Sequence, residues 1–271
     1  MVRFLAVLAV VLFPNGGRLV AQEIIAHRGA SYDAPENTLA AFQLAWTRGA
    51  DGIEGDFYLT RDGHIVCIHD KDTERTAGVK LVVKDSTLAE LQRLDVGAWK
   101  AEQYRGQRIP TLKQVLAIVP HDKKIFIEVK CGPEILPQLE QVLRASQLRP
   151  EQTIVISFDE RVIAETRKRI PSIKVYWVVG YKRDKQTGRW SPSLEQVLAT
   201  LRRTRAHGLD TQANPEVVNE RFVRALRQGG FEFHTWTIDD ASTARRFQAL
   251  GVDSITTNRP GWLRKQLRGK A

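Results

Sequence analysis

Cysteine is scarce in this 271-residue chain, with Cys67 and Cys131 as its two thiols. Two thiols cannot build a disulfide scaffold, and neither stands in a CxxC or Cys/His zinc spacing. No run of about 18 apolar residues is present, which excludes a multi-span helical membrane protein. Low-complexity tracts, internal repeats and Gly/Ser linkers are also missing, so one domain is expected. Apolar residues at 42% and charged residues at 27% lie near globular averages and exclude disorder, collagen and coiled coil. What is not balanced is charge. Lys and Arg number 41 against 31 Asp and Glu, a net charge of +10 that favours an anionic partner or surface without naming one. No nucleic-acid partner is expected.

The amino terminus departs from the rest. Arg3 is followed by an unbroken apolar run from Phe4 to Phe13, and Pro14-Asn15-Gly16-Gly17 then breaks any helix. The run is too short to span a bilayer, and Ala21 offers a small residue at a cleavage point, so residues 1–21 read as a secretory signal peptide. Its removal takes Arg3 and Arg18 and lowers the net charge from +10 to +8. A secreted or periplasmic location follows. In that oxidising setting Cys67 and Cys131 could bridge, but unpaired, buried thiols are the expectation.

Residues 22–271 alternate short β-branched runs with segments of helical period. Eight runs are strand-like: Ile24–Ala26, Gly52–Asp56, Lys124–Val129, Thr153–Ser157, Lys174–Val179, Gly208–Thr211, Phe231–Thr237 and Asp253–Thr257. Between them, Leu39, Phe42 and Trp46 share one helical face, and Leu194, Val197, Leu198 and Leu201 share another. Eight strand–helix units in this length predict an α/β fold, a closed (β/α)8 TIM barrel. The long stretch at about 57–123 breaks the rhythm and is expected to be an insertion after the second strand. It opens on a hairpin signal at Thr60-Arg61-Asp62-Gly63 and holds a capped helix at Ser86–Leu91.

The carboxyl ends of the early strands collect chemistry. His27-Arg28 closes the first run, Glu54 and Asp56 the second, His69-Asp70 the rim hairpin, and Glu128 and Lys130 the third. Carboxyl ends of barrel strands face one mouth, and alternate residues of a strand share a face, so these side chains should converge. Three carboxylates in one mouth repel one another unless a cation sits between them. Oxygen-only ligands suit Mg²⁺, Ca²⁺ or Mn²⁺ better than Zn²⁺. Two histidines can supply a base and an acid near neutral pH, and Arg28 and Lys130 suit a phosphate. Together the parts describe metal-assisted phosphodiester cleavage. Taken alone, a Glu-x-Asp strand end is more often a solvated rim, and a lone lysine usually faces water.

The segments HRGASYDAPENT, GADGIEGDFYLTRDGHIVCIHD and IFIEVK resemble the signature of the glycerophosphodiester phosphodiesterases, and ERTAG, HTWTIDD and GVDSITTNRP extend the likeness over nearly all of residues 23–261. The resemblance implies a TIM barrel with an insertion after the second strand, and hydrolysis of glycerophosphodiesters to an alcohol and glycerol 3-phosphate. It implies His27 and His69 as the acid/base pair, and Glu54, Asp56 and Glu128 as ligands of one divalent cation. Arg28 and Lys130 would meet the phosphate, Trp236 would line the substrate's alcohol end, and Pro35-Glu36-Asn37-Thr38 would shape the first loop. One position departs: the last motif usually ends in an acidic residue, and Asn258 stands there instead, without a charge.

Other features have plainer readings. His64 and His121 are expected on the surface, His207 at the wrong end of a strand, and His234 inside the barrel with a hydrogen-bond partner. Arg202, Arg203 and Arg205, with Arg245 and Arg246, fall on outer helices; a solvated face is the default, and peripheral contact with an anionic membrane the weaker expectation. The alternative functions are a lysophospholipase D or sphingomyelinase-D-like enzyme, with an apolar groove lined by Phe57, Tyr58, Trp99 and Tyr104, or a non-catalytic phosphodiester-binding protein.

Overall fold

The computed structural model describes residues 22–268; the expected signal peptide lies outside the described residues. The strands are β1 (Glu23–His27), β2 (Gly52–Leu59), β3 (Ile65–Cys67), β4 (Lys124–Val129), β5 (Thr153–Ser157), β6 (Lys174–Val179), β7 (Lys182–Arg183), β8 (Trp190–Ser191), β9 (Gly208–Gln212), β10 (Glu232–Trp236) and β11 (Ser254–Thr257). The helices are α1 (Leu39–Thr47), α2 (Glu74–Ala77), α3 (Leu88–Leu91), α4 (Leu112–Leu116), α5 (Leu136–Arg144), α6 (Glu160–Arg169), α7 (Leu194–Thr204), α8 (Glu220–Gln228), α9 (Ala241–Ala249) and α10 (Pro260–Arg268).

Eight of the strands pair in parallel in the order β1, β11, β10, β9, β6, β5, β4, β2, and β2 returns to β1 through the register His27↔Glu54. The sheet is therefore a closed TIM barrel. A parallel barrel buries both strand faces, which is why its strands read as near-continuous apolar runs. The period of two then sorts them. Ile53, Ile125, Ile127, Val155, Val175 and Leu209 face outward and pack with the helices in the main core. Ile25, Phe126, Ile154, Ile156, Tyr176 and Val178 turn inward and fill the barrel. The side chains at the mouth continue the inward series: His27 is two residues beyond Ile25, and Glu128 two beyond Phe126.

The helices start where the sequence offers caps. The Thr38 side chain accepts from the Ala41 amide at the start of α1, and Ser193 with Gln196 forms a reciprocal capping box on α7. Thr87 and Glu90 do the same for α3. Each cap stabilises its helix by about 1 kcal/mol.

After β2 the chain turns back as β3, antiparallel to β2 in the register Phe57↔Cys67 and Leu59↔Ile65. This segment has its own small apolar cluster, formed by Val66, Ile68, Val83, Leu91, Val96 and Ile109. The cluster anchors β3 on the rim and so delivers His69 and Asp70 to the mouth. Cys67 and Cys131 are both free thiols, Cys67 buried and Cys131 partly so.

Candidate active site

The metal-type carboxylates come together as the strand alternation requires. Glu54 and Asp56 on β2 and Glu128 on β4 each bring one oxygen to within 4.8 Å of the other two, and all three residues are buried. Register explains the convergence, since Asp56 is the direct neighbour of Glu128 across β2 and β4. Burial and the Asp56 and Glu128 charges push the Glu54 carboxyl well above its usual range. Burial and the Asp56 charge push Glu128 up to about 7. Burial also works against charge on Asp56, but Arg28 and Lys130 outweigh it and hold that carboxyl low. Glu54 Oε1 is buried with no hydrogen-bond partner. An orphaned carboxylate oxygen beside two more carboxylates fits a cation that takes oxygen ligands.

Two cationic side chains bound the cluster. Arg28 lies in the tight turn after β1 with φ 54°, so that its backbone N–H reaches Glu54 Oε2 at 2.9 Å and its Nε lies 3.1 Å from Asp56 Oδ2. Gly29 follows with φ 82°, and a Cβ there would lie 2.6 Å from the Ala41 backbone, so only glycine lets the turn dock on α1. Lys130 Nζ lies 2.8 Å from Glu128 and 3.3 Å from Asp56. Burial opposes its charge, yet these two carboxylates raise the ammonium above its usual range.

Each of the two histidines has an orienting partner. His27 Nδ1 is 2.8 Å from Asn258 Oδ1, while Asn258 Nδ2 donates to Asp239 Oδ2 at 2.5 Å. A carboxylate only accepts, so the amide nitrogen must face Asp239 and the amide oxygen His27. His27 therefore carries its proton on Nδ1 and leaves Nε2 as a lone pair. Burial and the adjacent Arg28 lower its pKa to about 4. His69 is different: its Nδ1 lies 2.7 Å from the Asp70 carboxylate, which compensates the charge of an imidazolium. Arg75 fixes Asp70 at 2.6 Å and reaches Glu36, which also bonds Arg28.

The mouth encloses a cavity of about 110 Å³ lined by both histidines, Arg28, Glu54, Glu128 and Lys130, and walled on the far side by Phe158, Asp210 and Trp236. The Trp236 and Phe158 rings meet edge to face at 5.7 Å. Beside it opens a cleft of about 540 Å³ between Tyr58, Asp72 and Glu74, and His69 and Lys130 line both spaces. All eight singled-out residues thus fall at one mouth, with Asp56 beneath the cavity wall.

Two further side chains support the site in ways that the strand pattern does not show, Asn37 of the first loop and Asp239. Asn37 bonds Asp56 through its amide and accepts the Asp56 N–H in return, with φ 58°. Asp239 supplies, one hydrogen bond behind Asn258, the negative charge that the last motif lacks. The expected apolar groove needs correction. Phe57 is fully buried in the main core, because it is one residue out of phase with Asp56 and points to the helices. Tyr58 lines the open cleft, Trp99 stands exposed, and the Tyr104 hydroxyl donates to the Asp33 carbonyl. His234 is buried in the barrel, stacked 4.1 Å from Tyr176 and bonded to Ser254. Of the outer arginines, Arg203 is paired with Glu160, and Arg245 and Arg246 bond the carbonyls of Gln266 and Pro215.

Comparison with known proteins places this geometry. The model of the glycerophosphoryl diester phosphodiesterase family matches residues 27–262. A glycerophosphodiester phosphodiesterase of Caldanaerobacter subterraneus is 34% identical over 88% of this chain and 94% of its own. Among solved structures, an Oleispira antarctica phosphodiesterase in complex with the product sn-glycerol-3-phosphate superposes with a TM-score of 0.80 at 27% identity, covering 90% of this chain and 96% of that one. A glycerophosphodiester phosphodiesterase of Thermotoga maritima gives 0.73 at 26% identity, over 91% and 98%.

Proposed function

The chain belongs to the glycerophosphoryl diester phosphodiesterase family, and from that premise we propose how its own residues hydrolyse glycerophosphodiesters to an alcohol and glycerol 3-phosphate. The observation that carries the reading is the buried Glu54, Asp56, Glu128 cluster flanked by two histidines, each with a fixed partner. These three carboxylates would hold one divalent cation, Mg²⁺ or Ca²⁺ before Mn²⁺, since all the donors are oxygens. Held by these residues, such a cation would offset the phosphate's charge and supply Lewis-acid polarisation towards attack.

The remaining steps are done by side chains. Arg28 and Lys130 offer two positive charges to the non-bridging phosphate oxygens. His27, neutral and with its Nε2 lone pair turned from Asn258, takes the proton of the attacking hydroxyl, whether of water or of the glycerol itself. As the new P–O bond forms, the P–O bond to the departing alcohol breaks, and His69 gives that oxygen its proton; where the glycerol hydroxyl is the attacking group, the cyclic phosphodiester so formed is opened by water in a second step that yields glycerol 3-phosphate. His69 suits this role because it stands where the enclosed cavity meets the open cleft. The glycerol moiety would therefore lie inside against Trp236, in place of the alcohol end that the family resemblance implied for that residue, and the variable alcohol in the cleft. Positioned groups of this kind contribute about 10²–10⁴-fold each.

Incubation with glycerophosphocholine and analysis by phosphorus NMR tests the reading. Choline and glycerol 3-phosphate are expected; glycerol with phosphocholine, or no reaction across glycerophosphodiesters, would overturn it. Secretion belongs to the same proposal. Arg3, the apolar run Phe4–Phe13 and the Pro-Asn-Gly-Gly break support a cleaved signal peptide, placing the hydrolase where extracellular glycerophosphodiesters are met.

A further inference from the structure

One carboxyl at the site takes no part in the steps above. Asp210 on β9 is only 2% exposed, yet it lines the enclosed cavity. Its Oδ1 is buried without a hydrogen-bond partner. No cationic side chain pairs with it among the described residues. A buried, unpartnered carboxyl costs stability, so folding alone does not account for it.

Its place in the ring is informative. Counted around the barrel in either direction, β9 is four strands from β2, so Asp210 stands diametrically across the mouth from Glu54 and Asp56. It is two residues beyond Gly208 on the inward series, beside His234 on β10 and Val178 on β6. The His234 ring packs in turn on those of Tyr176 and Phe126 inside the barrel. The Asp210 backbone carbonyl accepts from Trp236 Nε1 at 3.2 Å, which fixes the aromatic wall beside it. The far wall of the cavity is otherwise Ile156, Val178, Phe158 and Trp236, with Thr256 as its one other polar side chain.

From this we infer that Asp210 recognises a hydroxyl of the substrate's glycerol moiety and is a specificity-determining residue of the enclosed pocket. A phosphate held by Arg28 and Lys130 on one side of the mouth directs its small polyol towards the opposite wall, where the apolar surface is broken by the Asp210 carboxyl. An alcohol O–H can donate to its carboxylate form and accept from its acid form, so recognition does not depend on which is present. A site built to bond a hydroxyl rejects the analogue lacking it far more strongly than an apolar pocket rejects a missing methylene. The inference rests on the glycerophosphodiesterase reading and deepens it.

The test compares glycerophosphocholine with its propane-1,2-diol and propane-1,3-diol counterparts, each lacking one glycerol hydroxyl, in the metal-loaded full-length enzyme. Wild type should prefer glycerophosphocholine over at least one of these by roughly 10- to 100-fold in kcat/KM. In Asp210→Ala that ratio should collapse towards one, with Asp210→Asn retaining part of it. Thermal melting supplies a readout that a structural role would move the other way: Asp210→Asn should melt above wild type, because an orphaned carboxyl has been neutralised without change of volume. An unchanged substrate ratio in Asp210→Ala, or an Asn variant that melts lower and loses kcat/KM equally on all three substrates, would overturn the inference and leave the hydrolase reading intact. A wild-type enzyme that cleaves none of the three would overturn that underlying reading instead.

Discussion

Replacing Asn258 by aspartate is the perturbation that probes the His27 assignment most finely. In the present arrangement an uncharged amide oxygen lies 2.8 Å from His27 Nδ1, and burial and Arg28 hold the imidazole at a pKa of about 4. As general base His27 must be unprotonated, so kcat/KM of the metal-saturated enzyme should hold down to a pH well below the ordinary imidazole range and fall only beyond it. A full carboxylate charge about 4 Å from the imidazolium centre would stabilise it by ~4 kcal/mol at an effective dielectric of ~20. That is roughly 3 pH units at 1.36 kcal/mol each. However, the new carboxyl would sit 2.5 Å from Asp239, where two carboxyls share one proton, so about half the charge faces His27. The acid limb should therefore move upward by about 1–2 units while the alkaline limb stays in place. The assay is a pH series of kcat/KM on glycerophosphocholine, with circular dichroism at each pH to exclude unfolding. An acid limb that does not move, or that moves downward, would refute the assignment of His27 as the base.

Three further outcomes are expected. His27→Ala and His69→Ala should each lower kcat by about 10²–10⁴-fold, and a nitrophenyl phosphodiester, whose leaving group needs no proton, should restore activity in the His69 variant alone; rescue of the His27 variant would reverse the roles. Gly29→Ala forces a side chain into a positive φ and against the Ala41 backbone 2.6 Å away, and should destabilise the fold by about 2 kcal/mol or more; an unchanged denaturant midpoint would contradict the packing argument. Intact-mass analysis of the protein exported by its source cell should show a chain beginning near Gln22, and a cytosolic chain retaining residues 1–21 would contradict secretion.

How much of this was legible beforehand follows from the physics of each element. The barrel was, because strands buried on both faces leave β-branched runs such as Lys124–Val129 that stand out between helical segments. Every barrel strand but β2 lies within a residue of its run, and β2 continues three residues past Asp56 to Leu59, where it pairs with β3. The β7–β8 pair was not, since strands of two residues, Lys182–Arg183 and Trp190–Ser191, are too short to show a hydrophobic period. At the mouth, His27, Glu54, Asp56 and Glu128 were legible because they sit at strand ends in phase with one another. Phe57 was misplaced by the same rule applied one residue out of phase: an aromatic next to Asp56 must face the helices. Asn258 looked like a lost charge because nothing in its spacing joins it to Asp239, 19 positions earlier; only the pairing of β10 and β11 brings the two loops together. Asp210 was read as part of an ordinary strand, since a single carboxylate in Gly208–Gln212 signals nothing until the ring order sets it opposite Glu54.

The central claim is that three buried carboxylates share one divalent cation on which turnover depends. Calorimetric titration of the chelator-stripped enzyme with Mg²⁺ or Ca²⁺, run in parallel with glycerophosphocholine hydrolysis, tests it directly in wild type and in Glu128→Gln. One binding event per chain, restoring activity in step with occupancy, is predicted for wild type, with at least tenfold weaker binding and a matching loss of activity in the variant. Full hydrolysis by the stripped enzyme, or unaltered metal affinity in Glu128→Gln, would contradict it.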